Sequence, residues 1–304
     1  MTPLRIATRR SELAMAQAGI VRLLLKERGV DALLLPLSTS GDEEAASAAG
    51  DGKDRWIDAI LSALRSGEAD LAVHSAKDLP AEDPEDLTIG AVPERGEPHD
   101  VLVASDPAFL DGARPRAGAR VGTSSLRRSA QLRAAFAGID IVDLRGNVPT
   151  RLRKVTAEGA ADIAVLAAAG LTRLGLAPAN LLPLDVQVMV PAPGQGALAI
   201  QCRVEDRALR ATLTSLDHRV SRITLASERA LTRALGGDCT LPLGAIATMQ
   251  GDAVRLAACV AMPDGSEVIR AAAESEDPEG VAETVAEQLR GAGADRILDA
   301  IRQP

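Results

Sequence analysis

The decapeptide Leu71–Pro80, LAVHSAKDLP, sets polar and titratable groups directly behind an apolar run. Leu71, Ala72 and Val73 read as a buried strand; His74 and Ser75 follow it, and Lys77 and Asp78 precede Pro80, which stops the turn. Titratable side chains just past the carboxyl end of a strand sit where open α/β sheets bind ligands. Asp78 is the candidate for chemistry. An ionised carboxylate there can stabilise a developing carbocation or iminium, or relay a proton from a nitrogen leaving group. Taken alone, the stretch reads more simply as a βα turn with a helix-capping Ser75 and a solvated Lys77–Asp78 pair.

Two further strand-to-helix junctions carry cations. Val121–Arg128 reads VGTSSLRR: Gly122 allows a turn, Thr123, Ser124 and Ser125 supply hydroxyls and backbone N–H groups at a helix start, and Arg127 and Arg128 fall in the first turn. Helix N-termini favour anions, so cations there work against the dipole unless they have a task. Leu144–Arg151, LRGNVPTR, repeats the pattern, with a turn at Gly146, Pro149 at the helix start, and Arg145 and Arg151 on either side. Arg173 follows the expected strand 162–166, and Arg9 and Arg10 follow the first strand. Guanidinium forks suit bidentate binding of carboxylates or phosphates. Any one of these could be an ordinary surface arginine; their recurrence after strands points to one anion-binding cleft. Cys239, in GGDCTLP, lies in a glycine-flanked loop, an unusual place for a core cysteine, although a small buried hydrophobe is the usual fate of that residue. Cys202 and Cys259 sit in apolar strands and read as core.

The elements that must position these groups alternate strand and helix. Expected are a strand at 4–7, a helix capped by Ser11 with Leu13, Ala16, Ile20, Val21 and Leu24 on its buried face and closed by Gly29, a strand at 32–37, a polar mobile loop at 39–53, and a helix at 55–65 with Trp56, Ile57, Ile60, Leu61 and Leu64 inward. GEADLAVHSA (67–76) has an echo in GAADIAVLAA (159–168), which suggests two lobes of similar topology with these strands in equivalent places. PERGEPHD (93–100) and PAPGQG (191–196) read as linkers, and a strand at 197–202 as a return to the first lobe. The second lobe, with strands at 101–104, 120–121, 139–144 and 162–166, is expected to form a parallel sheet. A helix at 221–235, with Ile223, Ala226, Ala230, Leu231 and Ala234 inward, then three short strands and a helix at 280–290 make a small α+β region. The expected domains are 1–97 with 193–217, 98–192, and 218–304.

Bulk composition narrows the classes. The chain has 304 residues, 46% hydrophobic and 25% charged, which suits a multi-domain globular protein. Aromatics at 1% argue against base stacking, and a net charge of −8 against non-specific nucleic-acid binding, while leaving room for a local cationic cleft. No secretory signal and no apolar run of membrane-spanning length is read, so a cytoplasmic protein with neither membrane nor nucleic-acid partner is expected. Three scattered cysteines and three scattered histidines give no metal-ligand spacing, and no metal is expected.

Seven segments together resemble the porphobilinogen deaminase (hydroxymethylbilane synthase) family: RIATRRSELA (5–14), HSAKDLP (74–80), VGTSSLRR (121–128), LRGNVPTR (144–151), AGLTRLGL (169–176), PGQGALAIQCR (193–203) and ERALTRALGGDCTLP (228–242). They follow that family's order and span nearly the whole chain. The resemblance implies two lobes like type-II periplasmic binding proteins with a cleft between them, plus an α+β C-terminal domain. It implies head-to-tail condensation of four porphobilinogens, with loss of ammonia, into hydroxymethylbilane by a monomer. It makes Asp78 the catalytic residue and Cys239 the thioether anchor of a dipyrromethane cofactor. Cofactor contacts would be Ser75, Lys77, Thr123, Ser124, Ser125, Arg127, Arg128 and Arg145; substrate contacts would be Arg9, Ser11, Arg145, Arg151, Arg173 and Gln195. A two-lobed anion-binding protein without catalysis is the alternative. The chain departs from the family pattern in two places. Asp238 stands where the family has Gly before its Cys, and Asp54, Arg55 and Trp56 follow Lys53 where it has a Gly-Leu-Phe-like run. Trp56 is expected to replace that aromatic.

Overall fold

In the computed structural model, which describes residues 2–37, 52–236 and 241–302, strand β1 (Leu4–Arg9) runs directly into the capped helix α1 (Glu12–Glu27). Ser11 Oγ accepts the Ala14 N–H at 3.3 Å, satisfying one of the helix's orphan donors. Strand β2 (Ala32–Leu37) and helix α2 (Gly52–Arg65) follow, then β3 (Leu71–Ser75), a 3₁₀ turn at Ala76–Asp78, and β4 (Leu87–Ala91). Helix α2 starts three residues earlier than expected. The loop expected at 39–53 falls mostly outside the described residues, as does the side chain of Trp56.

The chain then forms β5 (Asp100–Ala104), the small hairpin β6 (Leu110–Asp111) and β7 (Arg114–Pro115), β8 (Arg120–Gly122), α3 (Leu126–Ala135), β9 (Asp140–Val142), α4 (Val148–Thr156), β10 (Ile163–Ala167), α5 (Ala168–Arg173) and β11 (Leu181–Pro183). After it come β12 (Leu198–Arg203), α6 (Arg207–Thr214), α7 (Arg219–Ala234), β13 (Leu243–Gln250), β14 (Ala253–Ala261), β15 (Val268–Ser275), α8 (Pro278–Gly291) and α9 (Ala294–Arg302). The hairpin and helices α5, α6 and α9 were not among the sequence expectations.

Two units emerge: residues 1–95 with 197–222, and residues 96–196 with 223–304. The first holds a five-stranded sheet ordered β2-β1-β3-β12-β4, in which β2, β1 and β3 are parallel and β12 runs against both β3 and β4. One face packs on α1 and α6 through Ile6, Val21, Leu25, Leu71, Val73, Ile200 and Leu213; the other packs on α2 through Ala7, Ile57, Ile60, Leu64 and Ala72. Each fully buried aliphatic side chain contributes roughly 1.5–3 kcal/mol. On α1 the buried centre is Gln17, Ala18, Val21 and Leu25; of the expected face Val21 is buried, while Leu13, Ala16, Ile20 and Leu24 are half-buried, because Gln17 turns inward to donate to Ser75 Oγ at 2.8 Å.

The second unit contains a five-stranded sheet ordered β11-β5-β10-β8-β9 and a three-stranded antiparallel sheet β13-β14-β15 under α7, α8 and α9. In the larger sheet β9, β8 and β10 are parallel, while β5 opposes both β10 and β11. The expected all-parallel sheet is therefore corrected. Strand β5 arrives straight from the 93–99 segment without a crossover helix, so the βαβ handedness rule does not govern it. Helix α7 turns Ser227 and Glu228 inward and leaves Ala226 exposed, against expectation. Glu228 accounts for the rotation, accepting the N–H of Gly194 at 2.6 Å and of Ala247 at 2.8 Å.

The two large sheets share one topology. β3 and β10 each run parallel to one neighbour (β1 and β8) and antiparallel to another (β12 and β5). The repeated segments 67–76 and 159–168 thus occupy equivalent strands, as their echo suggested. The matched aspartates act alike. Asp70 takes the backbone N–H of Arg5 at 2.7 Å and its guanidinium at 2.8 Å; Asp162 does the same for Arg120, at 2.8 and 2.7 Å. Burial alone would raise both carboxyl pKa values, but the arginine bonds outweigh it and lower them.

Candidate functional site

In the first unit the carboxyl ends of the neighbouring parallel strands β1 and β3 bring Arg9 and the 75–78 turn to one sheet edge. Ser75 occupies the cap position of the 3₁₀ turn, yet its side chain makes no capping bond; it pairs with Gln17 instead. Lys77 and Asp78 are half-buried on the turn, which is pinned by the Ala76 N–H donating to Ala197 O at 3.0 Å. A hollow of about 260 Å³ lined by Ile57, Leu61, Leu79, Pro80 and Gln201, among others, contains none of the predicted site residues.

Behind Asp78, His74 is 2% exposed. Neither ring nitrogen has a hydrogen bond of normal geometry among the described residues, and Oε1 of the neighbouring Gln201 is likewise unsatisfied. Burial pushes the imidazole pKa down to about 4, against the opposing pull of the Asp78 charge and the Gln201 amide. The unfolded value is near 6.5, so between pH 6.5 and 4 the unfolded chain binds a proton that the folded chain excludes. Stability from this residue is complete above pH 6.5 and falls by about 3 kcal/mol as pH approaches 4. Urea midpoints at pH 7, 5.5 and 4.5 are expected to fall for the native chain and to fall less for His74→Gln; an equal slope in both would contradict this.

In the second unit the ends of β9, β8 and β10 gather a second set. Gly122 does not take the left-handed conformation expected of a turn glycine; it is required by packing, since a Cβ would lie 2.6 Å from Leu144 Cδ2. Thr123 Oγ1 accepts the Ser125 N–H at 3.1 Å, and Ser125 caps α3 by accepting the Arg128 N–H at 3.4 Å. Ser124 is exposed. Gly146 does adopt a positive φ of 122°, and Asn147, not singled out in the sequence, caps α4. Arg145 is exposed and donates to Asp143 at 2.8 Å.

Arg127 and Arg128 are 5% and 6% exposed, and both meet the carboxylate of Asp100, which is 0% exposed. Arg127 Nη1 lies 2.8 Å from Oδ2, and Arg128 Nη2 lies 2.7 Å from Oδ1. Burial opposes ionisation of Asp100, but the two guanidinium charges overcome it and hold its carboxyl far below the usual range. Gln195, also 0% exposed, donates to Asp100 Oδ1 at 3.0 Å and to Pro98 O at 2.7 Å. Two guanidinium groups against one carboxylate leave this buried cluster with a net positive charge.

Arg151 and Arg173 are half-buried, and burial lowers each to a pKa of about 10, with the Arg128 charge adding to the effect at Arg151. Both stay protonated at neutral pH in a setting that penalises the charge, which favours arrival of a carboxylate. Nε of Arg151 is buried with no hydrogen-bond partner among the described residues, and Arg173 donates to Gly196 O at 2.6 Å. This donor set fits a group bearing several carboxylates. Sequence reasoning missed Asp100 and Gln17. An aspartate at the mouth of an apolar strand was the available signal for the first; no local pattern marks the second. Cys239 and Asp238 lie outside the described residues. Cys202 and Cys259 are buried, and burial raises both thiols.

A sequence model described as the porphobilinogen deaminase dipyromethane cofactor binding domain matches residues 4–211, and that family's C-terminal domain matches residues 222–291. The chain belongs to the porphobilinogen deaminase family. Curated relatives carrying the name porphobilinogen deaminase include one from Xanthomonas axonopodis pv. citri, 43% identical over 98% of this chain and 99% of its own length. Another, from Nocardia farcinica, is 44% identical over 98% and 88%, and one from Roseiflexus sp. is 42% identical over 96% and 97%. Membership in the porphobilinogen deaminase family accounts for the seven segments quoted above and for the fold class: two α/β lobes of type-II binding-protein topology and an α+β C-terminal region. No helix among the described residues is long and apolar enough to cross a membrane.

Proposed function

We propose that Asp78 and the arginines after the parallel strands carry the family's reaction in this chain. The enzyme is a transferase: it joins four porphobilinogens head to tail with loss of ammonia, on a dipyrromethane cofactor, and releases hydroxymethylbilane. The observation that supports the site assignment is the gathering of Asp78 at the end of the central strand of one unit, and of Arg127, Arg128, Arg145, Arg151 and Arg173 after the parallel strands of the other.

Each porphobilinogen bears an acetate and a propionate, so the growing chain gains negative charge at every addition. The net positive Asp100 cluster and the desolvated Arg151 and Arg173 are the second unit's carboxylate binders, and Arg9, Ser11 and Lys77 are the first unit's polar contacts for the substrate and cofactor. Ser75, Thr123, Ser124 and Ser125 supply neutral hydroxyl and backbone donors. When bound, dipyrromethane supplies a primer pyrrole with a free α-carbon, held through Cys239 so that successive additions are effectively intramolecular. Cleavage of the substrate's aminomethyl C–N bond expels ammonia and leaves an azafulvenium cation, which the Asp78 carboxylate stabilises. Formation of the new C–C bond frees one proton from the α-carbon, and Asp78 accepts it.

In this reading the chain is a cytoplasmic monomer with domains at 1–97 plus 193–217, 98–192 and 218–304, and Gln195 acts from beneath the arginines. A non-catalytic anion binder would carry the same arginines. Acid treatment with Ehrlich's reagent separates the two: the purified chain is expected to colour as a bound dipyrromethane does, and a colourless protein would contradict the assignment.

A further inference from the structure

Asp100 stands where three separate stretches meet. It opens β5 at the end of the 93–99 segment, receives both arginines from the start of α3, and takes Gln195 from the 191–196 segment. The guanidinium groups have backbone partners as well. Arg127 Nη1 donates to Val190 O at 2.7 Å and Arg128 Nη1 to Val165 O at 3.0 Å. Val190 is held in turn by Gln131, whose amide donates to its carbonyl at 3.1 Å and accepts its N–H at 2.8 Å. Asp100 Oδ1 accepts from both Arg128 and Gln195, Oδ2 faces the Arg127 guanidinium at 2.8 Å, and the side chain is fully buried, so it is not an acid–base group for the substrate. It holds two like-charged side chains together, cancels one of their charges, and leaves the other for an incoming anion.

We propose that Asp100 is a positioning residue for chain elongation: it fixes the guanidinium groups of Arg127 and Arg128 and, through Gln195, ties their orientation to the 191–196 segment. This rests on the reading of those arginines as carboxylate binders. Without the shared carboxylate the two cations repel and splay, so the pair is no longer set before each new carboxylate arrives. The consequence grows with the charge of the bound chain, so late additions suffer more than early ones. Gly196, at φ +84° with a Cβ position only 2.4 Å from Gly96 O, keeps the two linker segments in contact beside this cluster.

The test compares Asp100→Asn with Asp162→Asn, purified with the cofactor in place. Asp162 makes a similar aspartate–arginine clamp in the same unit but serves only strand entry. Asp100→Asn is expected to lower kcat/KM for porphobilinogen at least tenfold and to pile up early pyrrole-loaded species in the intact-mass spectrum. It is also expected to speed hydrogen exchange at 190–197. Asp162→Asn is expected to lower the melting temperature with a native distribution of loaded species and native exchange at 190–197. Asp100→Glu, which keeps the charge but displaces the carboxylate by one methylene, is expected to fall between native and Asp100→Asn, and it carries the test if Asp100→Asn does not fold. Kinetics within twofold of native in the folded Asp100 variant, or changes equal to those of Asp162→Asn, would overturn the proposal. A native enzyme that forms no loaded species at all would instead overturn the functional assignment beneath it.

Discussion

Asp78→Asn is expected to retain the fold and the bound cofactor and to lose nearly all turnover, by about 10²–10⁴-fold, the range of general acid–base and charge-stabilising contributions. The substitution is isosteric, so the 3₁₀ turn and its bond to Ala197 O remain. What disappears is the negative charge opposite the developing cation and the acceptor for the released proton. Porphobilinogen consumption gives the rate, the melting curve reports the fold, and the Ehrlich colour reports the cofactor. Near-native turnover in a folded, coloured variant would remove Asp78 from the mechanism.

Cys239→Ser is expected to purify without a dipyrrole adduct and without activity, whereas the native chain carries the adduct in its intact mass. The loop's stems are firmly set: Leu235 is 3% exposed, Leu241 6% and Leu243 4%, all in the core under α7 and β13. Asp238 adds a second expectation. A carboxylate beside the thiol disfavours the thiolate and slows attachment. Asp238→Gly is therefore expected to acquire its adduct faster when the cofactor-free chain is given porphobilinogen. An adduct that survives Cys239→Ser would place the anchor elsewhere.

Much of the fold was legible because its signals are local. The apolar strand followed by a hydroxyl or glycine turn marked β3, β8 and β9, and Ser11 and Ser125 cap helices as their positions suggested. The Asp-led repeat marked the equivalent strands β3 and β10, since each aspartate clamps the arginine of the neighbouring strand. What failed was non-local. β5 is inserted antiparallel, and periodicity carries no information on such pairing, although the return of the 197–202 strand to the first unit was read from the sequence. The expected faces hold at Val21 of α1 and at Ile223, Ala230, Leu231 and Ala234 of α7 but are shifted elsewhere, because Gln17 and Glu228 turn inward to partners 58 and 34 residues away. Arg127 and Arg128 were legible as a cationic pair, but their shared carboxylate lies 27 or more residues upstream, in a segment that read as a linker.

Incubating the purified native chain with porphobilinogen tests the proposed head-to-tail condensation most directly. The expected products are ammonia, released as substrate is consumed, and a linear tetrapyrrole that closes to uroporphyrinogen on standing. Porphobilinogen that binds but is recovered unchanged, with no tetrapyrrole formed, would contradict it.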